Sequence, residues 1–162
     1  MLGMRTSRGK QVGGFTLIEL LVVVVLLVLV AAIAAPRLGA TLLDLSLIAE
    51  ARYAHSHAQA VRQFAIMRGS AVSIHYFSSA PARILVIDPQ SGVAVSEFTE
   101  RILPAGFRLE PVLHGSKVVT FNARGEATWH PSAAQLIVIR APHGQTRSLR
   151  FHSAGRIMFL NP

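Results

Sequence analysis

From Phe15 to Ala35 the chain carries 21 residues that are apolar except for Thr16 and one acid, Glu19. As a helix rising 1.5 Å per residue the run reaches about 32 Å, which matches the hydrocarbon core of a bilayer. It therefore predicts one membrane span. A lone span can satisfy its backbone only through helical hydrogen bonds, which overrides the mediocre helix propensity of Val22 to Val25 in water. A carboxylate inside such a segment costs about 2.5 to 3.5 kcal/mol even on the mildest insertion scale, so Glu19 marks a functional site that requires a partner.

The residues ahead of the run fix its orientation. Met1 to Gly14 contains Arg5, Arg8 and Lys10 and no acid. Basic residues are retained on the cytoplasmic side, which places everything beyond Pro36 outside. A secretory signal peptide also has a basic start, but its cleavage site follows an apolar core free of acids. Here the small-residue segment Ala31 to Ala35 follows a core that opens on Glu19.

The hexapeptide Gly14-Phe15-Thr16-Leu17-Ile18-Glu19 resembles the processing signal of type IV pilins and type II secretion pseudopilins. The resemblance implies that a prepilin peptidase and N-methyltransferase cuts after Gly14 and methylates the new amino terminus at Phe15. The ammonium of Phe15 then lies four residues from Glu19. In subunits stacked with an axial offset, one chain's carboxylate pairs with a neighbour's amine. A buried pair of this kind sets register more than it adds stability. Pro36 removes a helical hydrogen bond where the helix leaves the bilayer, so a kink is expected there. Its place as residue 22 of the mature chain also resembles the pilin pattern.

Beyond Pro36 the helical reading continues. Leu38, Leu42, Leu45, Ala49, Tyr53, Ala60, Phe64 and Met67 recur at three- and four-residue steps, with Ser56 in the one polar gap. Leu45, Tyr53 and Phe64 are expected to be core. Gly69 is a helix stop. Short alternating or apolar runs then predict strands at Val72–Tyr76, Ile84–Ile87, Val93–Val95, Phe107–Leu113, Lys117–Phe121, Glu126–Trp129, Leu136–Arg140, Arg147–Phe151 and Arg156–Leu160. Asp88 to Gly92, Asn122 to Gly125 and His152 to Gly155 are turns of hairpin length, which join antiparallel strands. The fold class is α+β: a long N-terminal helix packed on antiparallel sheet, ordered as a 1–14 leader, a 15–35 span, a 36–68 amphipathic continuation and a 69–162 β-rich head.

The spacing of Val119 to Gly125 and Phe151 to Ile157 is similar to the head shared by pseudopilin H of type II secretion and the FimT-type minor pilins. This implies a structural subunit of an inner-membrane filament, with other pilins or pseudopilins, the processing enzyme and membrane lipid as partners. The head would be periplasmic, with no cofactor and no catalysis. A second implied reading is a minor pilin that binds DNA during uptake. From Arg101 to Pro162 there are eight basic residues (Arg101, Arg108, Lys117, Arg124, Arg140, Arg147, Arg150 and Arg156) against Glu110 and Glu126, the footprint of a phosphate-binding partner. Arg147, Arg150 and Arg156 are its candidate contacts. DNA-binding relatives carry what looks like Gly-Arg-x-Arg near the end, and Met158 stands here in place of the second arginine. Side chains on a strand alternate, so Arg147 and Arg150 should point to opposite faces.

Other chemistry has little footing. With no cysteine in the chain, disulfides and thiolate metal sites are excluded. His55 and His57 are two apart and do not share a helix face. His114, His130, His143 and His152 fall in or beside turns without a local acid, and read as surface residues. No phosphate-cradling loop, nucleophile elbow or catalytic carboxylate pair is present. Trp129 reads as half-buried packing at a strand end.

Overall fold

The computed structural model describes residues 15–110, 116–129 and 135–160. The chain divides into two compact units, Met1–Gly39 and Ala40–Pro162. Helix α1, Leu17–Arg68, contributes residues to both. In the first unit its residues 17–34 are all exposed, and this stretch, with a mean hydropathy of 3.3, is long and apolar enough to cross a membrane. Helical structure is assigned through Pro36.

In the second unit nine strands follow among the described residues: β1 Val72–Phe77, β2 Arg83–Ile87, β3 Arg101–Ile102, β4 Arg108–Glu110, β5 Ser116–Phe121, β6 Ala127–Trp129, β7 Leu136–Arg140, β8 Thr146–Phe151 and β9 Ile157–Leu160. They form a five-stranded sheet ordered β3-β2-β1-β5-β6 and a four-stranded sheet ordered β4-β7-β8-β9. Every pairing is antiparallel, and short turns join β1 to β2, β5 to β6, β7 to β8 and β8 to β9. Register explains which side chains are inside. Ile74 pairs with Val86 and Val119, and Ile139 lies opposite Leu109, so alternate residues of each strand enter one shared core.

The helix face turned to this core differs from the expected one. Leu47, Ala51, Ala54, Ala58, Val61 and Ala65 are buried, at steps of four and three. Leu42 and Leu45 are instead 64% and 57% exposed, and Met67 is exposed as well. Tyr53 and Phe64 are half-buried, Phe64 packing against the core. Alanines let the helix backbone approach the sheets closely, whereas hydropathy ranks the larger leucines first. Enlarging the close face should therefore cost more than trimming the leucine face. Ala58→Leu should lower stability by about 1–3 kcal/mol through overpacking, and Leu45→Ala should stay within about 0.5 kcal/mol, measured by thermal unfolding of the detergent-solubilised chain.

Gly69 ends the helix as expected, with φ +68° and its N–H donated to the Ile66 carbonyl. Asp88 Oδ1 accepts the backbone N–H groups of Gln90 and Ser91 and closes the predicted turn. Val93 to Val95 makes one bridge, Ala94 to Ile87, instead of a strand. The expected strand at Phe107–Leu113 is present as β4, and its last residues, Pro111 to Leu113, lie outside those described.

The two-residue β3 was not anticipated, because two residues carry no periodicity. An ion pair anchors it. Arg101 on β3 donates through Nε and Nη2 to the buried Glu50 on α1, and its guanidinium lies 4.8 Å from the centre of the Tyr53 ring.

Candidate functional site

The N-terminal site is built by Phe15, Thr16 and Glu19. Phe15 and Thr16 precede the helix. Gly14 lies outside the described residues. Thr16 caps the helix: its carbonyl accepts the N–H groups of Glu19 and Leu20 at 3.1 and 3.2 Å. Its hydroxyl oxygen accepts the Glu19 N–H at 3.3 Å. Reciprocally, the Thr16 N–H and hydroxyl donate to Glu19 Oε2 at 3.5 and 3.4 Å.

This is a capping box, in which an N-cap threonine and a glutamate three residues on satisfy each other's orphan backbone groups. The Thr-x-x-Glu spacing was available in the sequence, but the reading of Glu19 as an acid in lipid passed over it. Glu19 thus sits on an exposed apolar helix with one local task already visible, the closure of the helix start.

The head's basic residues prove less available than their count implies. Arg101 is paired with Glu50, Arg124 with Glu126 and Arg140 with Glu110. Lys117 is buried on the inner face, donates Nζ to the Leu136 carbonyl, and has its pKa pushed down to about 8 by burial. Its place in a surface footprint is corrected: alternation along β5 sends residues 117, 119 and 121 inward together.

Arg147, Arg150 and Arg156 are not brought together. Arg147 shares the inward parity of Leu149 and Phe151 and lines a cavity with Ile48, Ala51, Arg52 and Phe159. Arg150 is exposed on the opposite face, directly across from Met158. Arg156 borders a separate groove beside Arg62 and Gln59 of α1.

The two turn motifs, in contrast, meet. Gly125 and Gly155 have φ of +76° each, and a Cβ on Gly155 would lie 1.8 Å from the Gly125 carbonyl oxygen. Arg62 of α1 donates Nε to that same oxygen at 2.9 Å, and the Ala127 N–H donates to the Ser153 carbonyl. Two hairpin turns from different sheets are thereby fastened to each other and to the helix. Sequence spacing identified both turns, but nothing local in either announces the contact.

The histidines separate. His57 is buried between Tyr53 and Phe98, with ring centroids at 5.4 and 5.5 Å, and neither ring nitrogen has a hydrogen-bond partner among the described residues. Burial pushes its pKa below 6.5. The folded state then resists the proton that the unfolded chain accepts, so stability is full above pH 6.5 and falls as pH drops below it toward the lowered folded value. His57→Phe should flatten the loss of melting temperature between about pH 7 and pH 5. His75, lowered for the same reason, should leave a residual slope.

His143 is exposed, as expected of a surface residue, but it has a partner distant in sequence. It meets Oδ1 of Asp44, an acid on α1, at 2.7 Å, and Gln145 donates Nε2 to Oδ2 of the same carboxylate. His55 reaches the Ile157 carbonyl, and Trp129 is half-buried against the core. His114 and His130 lie outside the described residues.

Comparison with known proteins agrees with this architecture. The family model described as the prokaryotic N-terminal methylation motif matches residues 9–35. No curated protein matches the sequence. The solved structures that match include the type IV minor pilin FimU of Pseudomonas aeruginosa strain PAO1 in two crystal forms. One has a TM-score of 0.54 at 20% identity, covering 71% of this chain and 88% of that one. The other has a TM-score of 0.51 at 18% identity, covering 71% and 93%. The chain thus carries the prokaryotic N-terminal methylation motif over residues 9–35, and its fold is similar to that of a type IV minor pilin.

Proposed function

We propose that the chain is a minor pseudopilin, a non-catalytic subunit of the short filament of a type II secretion apparatus. It is anchored by one pass through the inner membrane, with its head in the periplasm. The observation that carries a filament role is Glu19, an acid kept on an uncovered apolar helix five positions into the chain that begins at Phe15. A carboxylate at that depth requires a cation, and the terminal ammonium of an adjoining subunit supplies one. Cleavage between Gly14 and Phe15 creates that ammonium. Pro36 is the place where the helix is expected to loosen as the subunit leaves the bilayer.

Secretion is preferred over DNA uptake because three of the cations between Arg101 and Pro162 are paired with acids, Lys117 is buried, and the rest are not gathered into one patch. Four of the eight from Arg101 to Pro162, namely Arg108, Arg147, Arg150 and Arg156, have no acidic partner among the described residues and are not buried. The last three of these are dispersed over different surroundings. The fold likeness to a type IV minor pilin favours a second reading, a minor subunit of a surface pilus. A deletion scored in one strain for exoprotein release, surface piliation and transformation decides between them. Lost release with intact piliation and transformation supports the pseudopilin. Intact release with lost piliation or transformation transfers the chain to the pilus.

A further inference from the structure

Two arginines of the head converge on one cavity without an acid. Arg52 on α1 and Arg147 on β8 line a space of about 350 Å³, completed by Ile48, Ala51 and Phe159. Among the described residues neither guanidinium makes an ion pair or hydrogen bond. The two acids of α1 nearest in sequence are already engaged: Asp44 by His143 and Gln145, and Glu50 by Arg101. Like charges held at one cavity repel each other, and an incoming anion relieves that repulsion.

The walls narrow the identity of the anion. Guanidinium groups present rigid forks of N–H donors that match a carboxylate in bidentate geometry. Ile48 and Phe159 add apolar surface of the kind that covers the methylene stem of a glutamate. Phe159 is 40% exposed and stacks on His55 with ring centroids 4.6 Å apart. A nucleic-acid backbone needs a track of cations, and here Arg150 lies on the other face of β8 while Arg156 borders a different groove.

We propose that this cavity is the receptor for an acidic side chain, glutamate above all, of a neighbouring pilin-like subunit. The inference rests on the filament reading above and adds to it a specific contact of the head. It would select which subunit sits beside this one, since a partner with a cation at that position would be repelled.

The test uses the full-length chain in cells that assemble the filament, with the photo-cross-linker benzoylphenylalanine in place of Phe159, and in place of exposed Gln90 as a control. The expected result is a cross-link from position 159 to an acid-bearing peptide of another pilin-like subunit. Arg52→Glu combined with Arg147→Glu should reduce its yield about tenfold, the effect of losing one charge-assisted contact. Replacing the partner's acid with arginine should restore it.

A cross-link that survives the double reversal, one that leads to a peptide without an acid, to lipid or to nucleic acid, or one no stronger than the control overturns the proposal. Filament co-fractionation is scored separately. A chain present in the filament without the cross-link removes the receptor and leaves the subunit reading standing. A chain absent from the filament removes both.

Discussion

Glu19→Leu should leave the chain inserted and cleaved after Gly14 but depress its incorporation into a filament by more than about tenfold. Removing the acid eases insertion by about 2.5–3.5 kcal/mol, so membrane levels should not fall. On the proposed filament role, what is lost is the counter-charge for the neighbour's terminal ammonium. Breaking one side of a buried pair costs about 3–5 kcal/mol, because the remaining charge stays in a poor solvent. The capping box with Thr16 offers a competing explanation, since Glu19 also satisfies the helix start.

Glu19→Gln separates the two. The amide oxygen still accepts from Thr16, so an assembling Gln variant would assign the residue to capping, worth about 1 kcal/mol. A Gln variant that fails like Leu would assign it to charge. Filament fractions probed for the chain, alongside its processed form in membranes, give the measurement.

Gly155→Val should be the most damaging single change in the head. The new Cβ would meet the Gly125 carbonyl oxygen at 1.8 Å and Arg62 Nε at 2.6 Å, and the residue holds φ +76°. The left-handed backbone alone costs a non-glycine residue roughly 1–2 kcal/mol. The clash is with backbone, which no rotamer change relieves, so the two turns must part and Arg62 must give up its carbonyl. We expect a loss above about 4 kcal/mol, in the range reserved for named structural failures.

Gly92→Ala provides the control. It has φ +71° but open space around the added Cβ, and should cost only the conformational part, about 1–2 kcal/mol. Thermal unfolding of both variants compared with the parent chain reads the difference. Similar losses for the two would mean that the Gly125–Gly155 contact contributes nothing of its own.

The elements that the sequence revealed are those governed by local rules. The helix end at Gly69, the Asp88 turn and the alternation that splits Arg147 from Arg150 each depend on residues within a few positions. What escaped depends on distant partners. The buried helix face is made of alanines because sheet residues far along the chain press close to it, and hydropathy alone favoured Leu42 and Leu45. Lys117 reads as a surface charge until β5 is placed between β1 and β6 and its inward parity is set. The Asp44 contact of His143 spans 99 positions, and the Glu50 contact of Arg101 spans 51.

The site divides in the same way. Glu19 was visible as an acid out of place, and its cap with Thr16 was a local pattern within reach. The Arg52–Arg147 cavity was not, since it joins a helix to a strand about a hundred residues apart in sequence.

The central claim is that processing before Phe15 creates the cation that Glu19 requires. Intact-mass and N-terminal analysis of the chain purified from membranes tests it most directly. The account predicts a mature chain beginning at methylated Phe15, with Gly14→Val accumulating the longer form. A native protein that retains Met1 to Gly14 in the filament would contradict it.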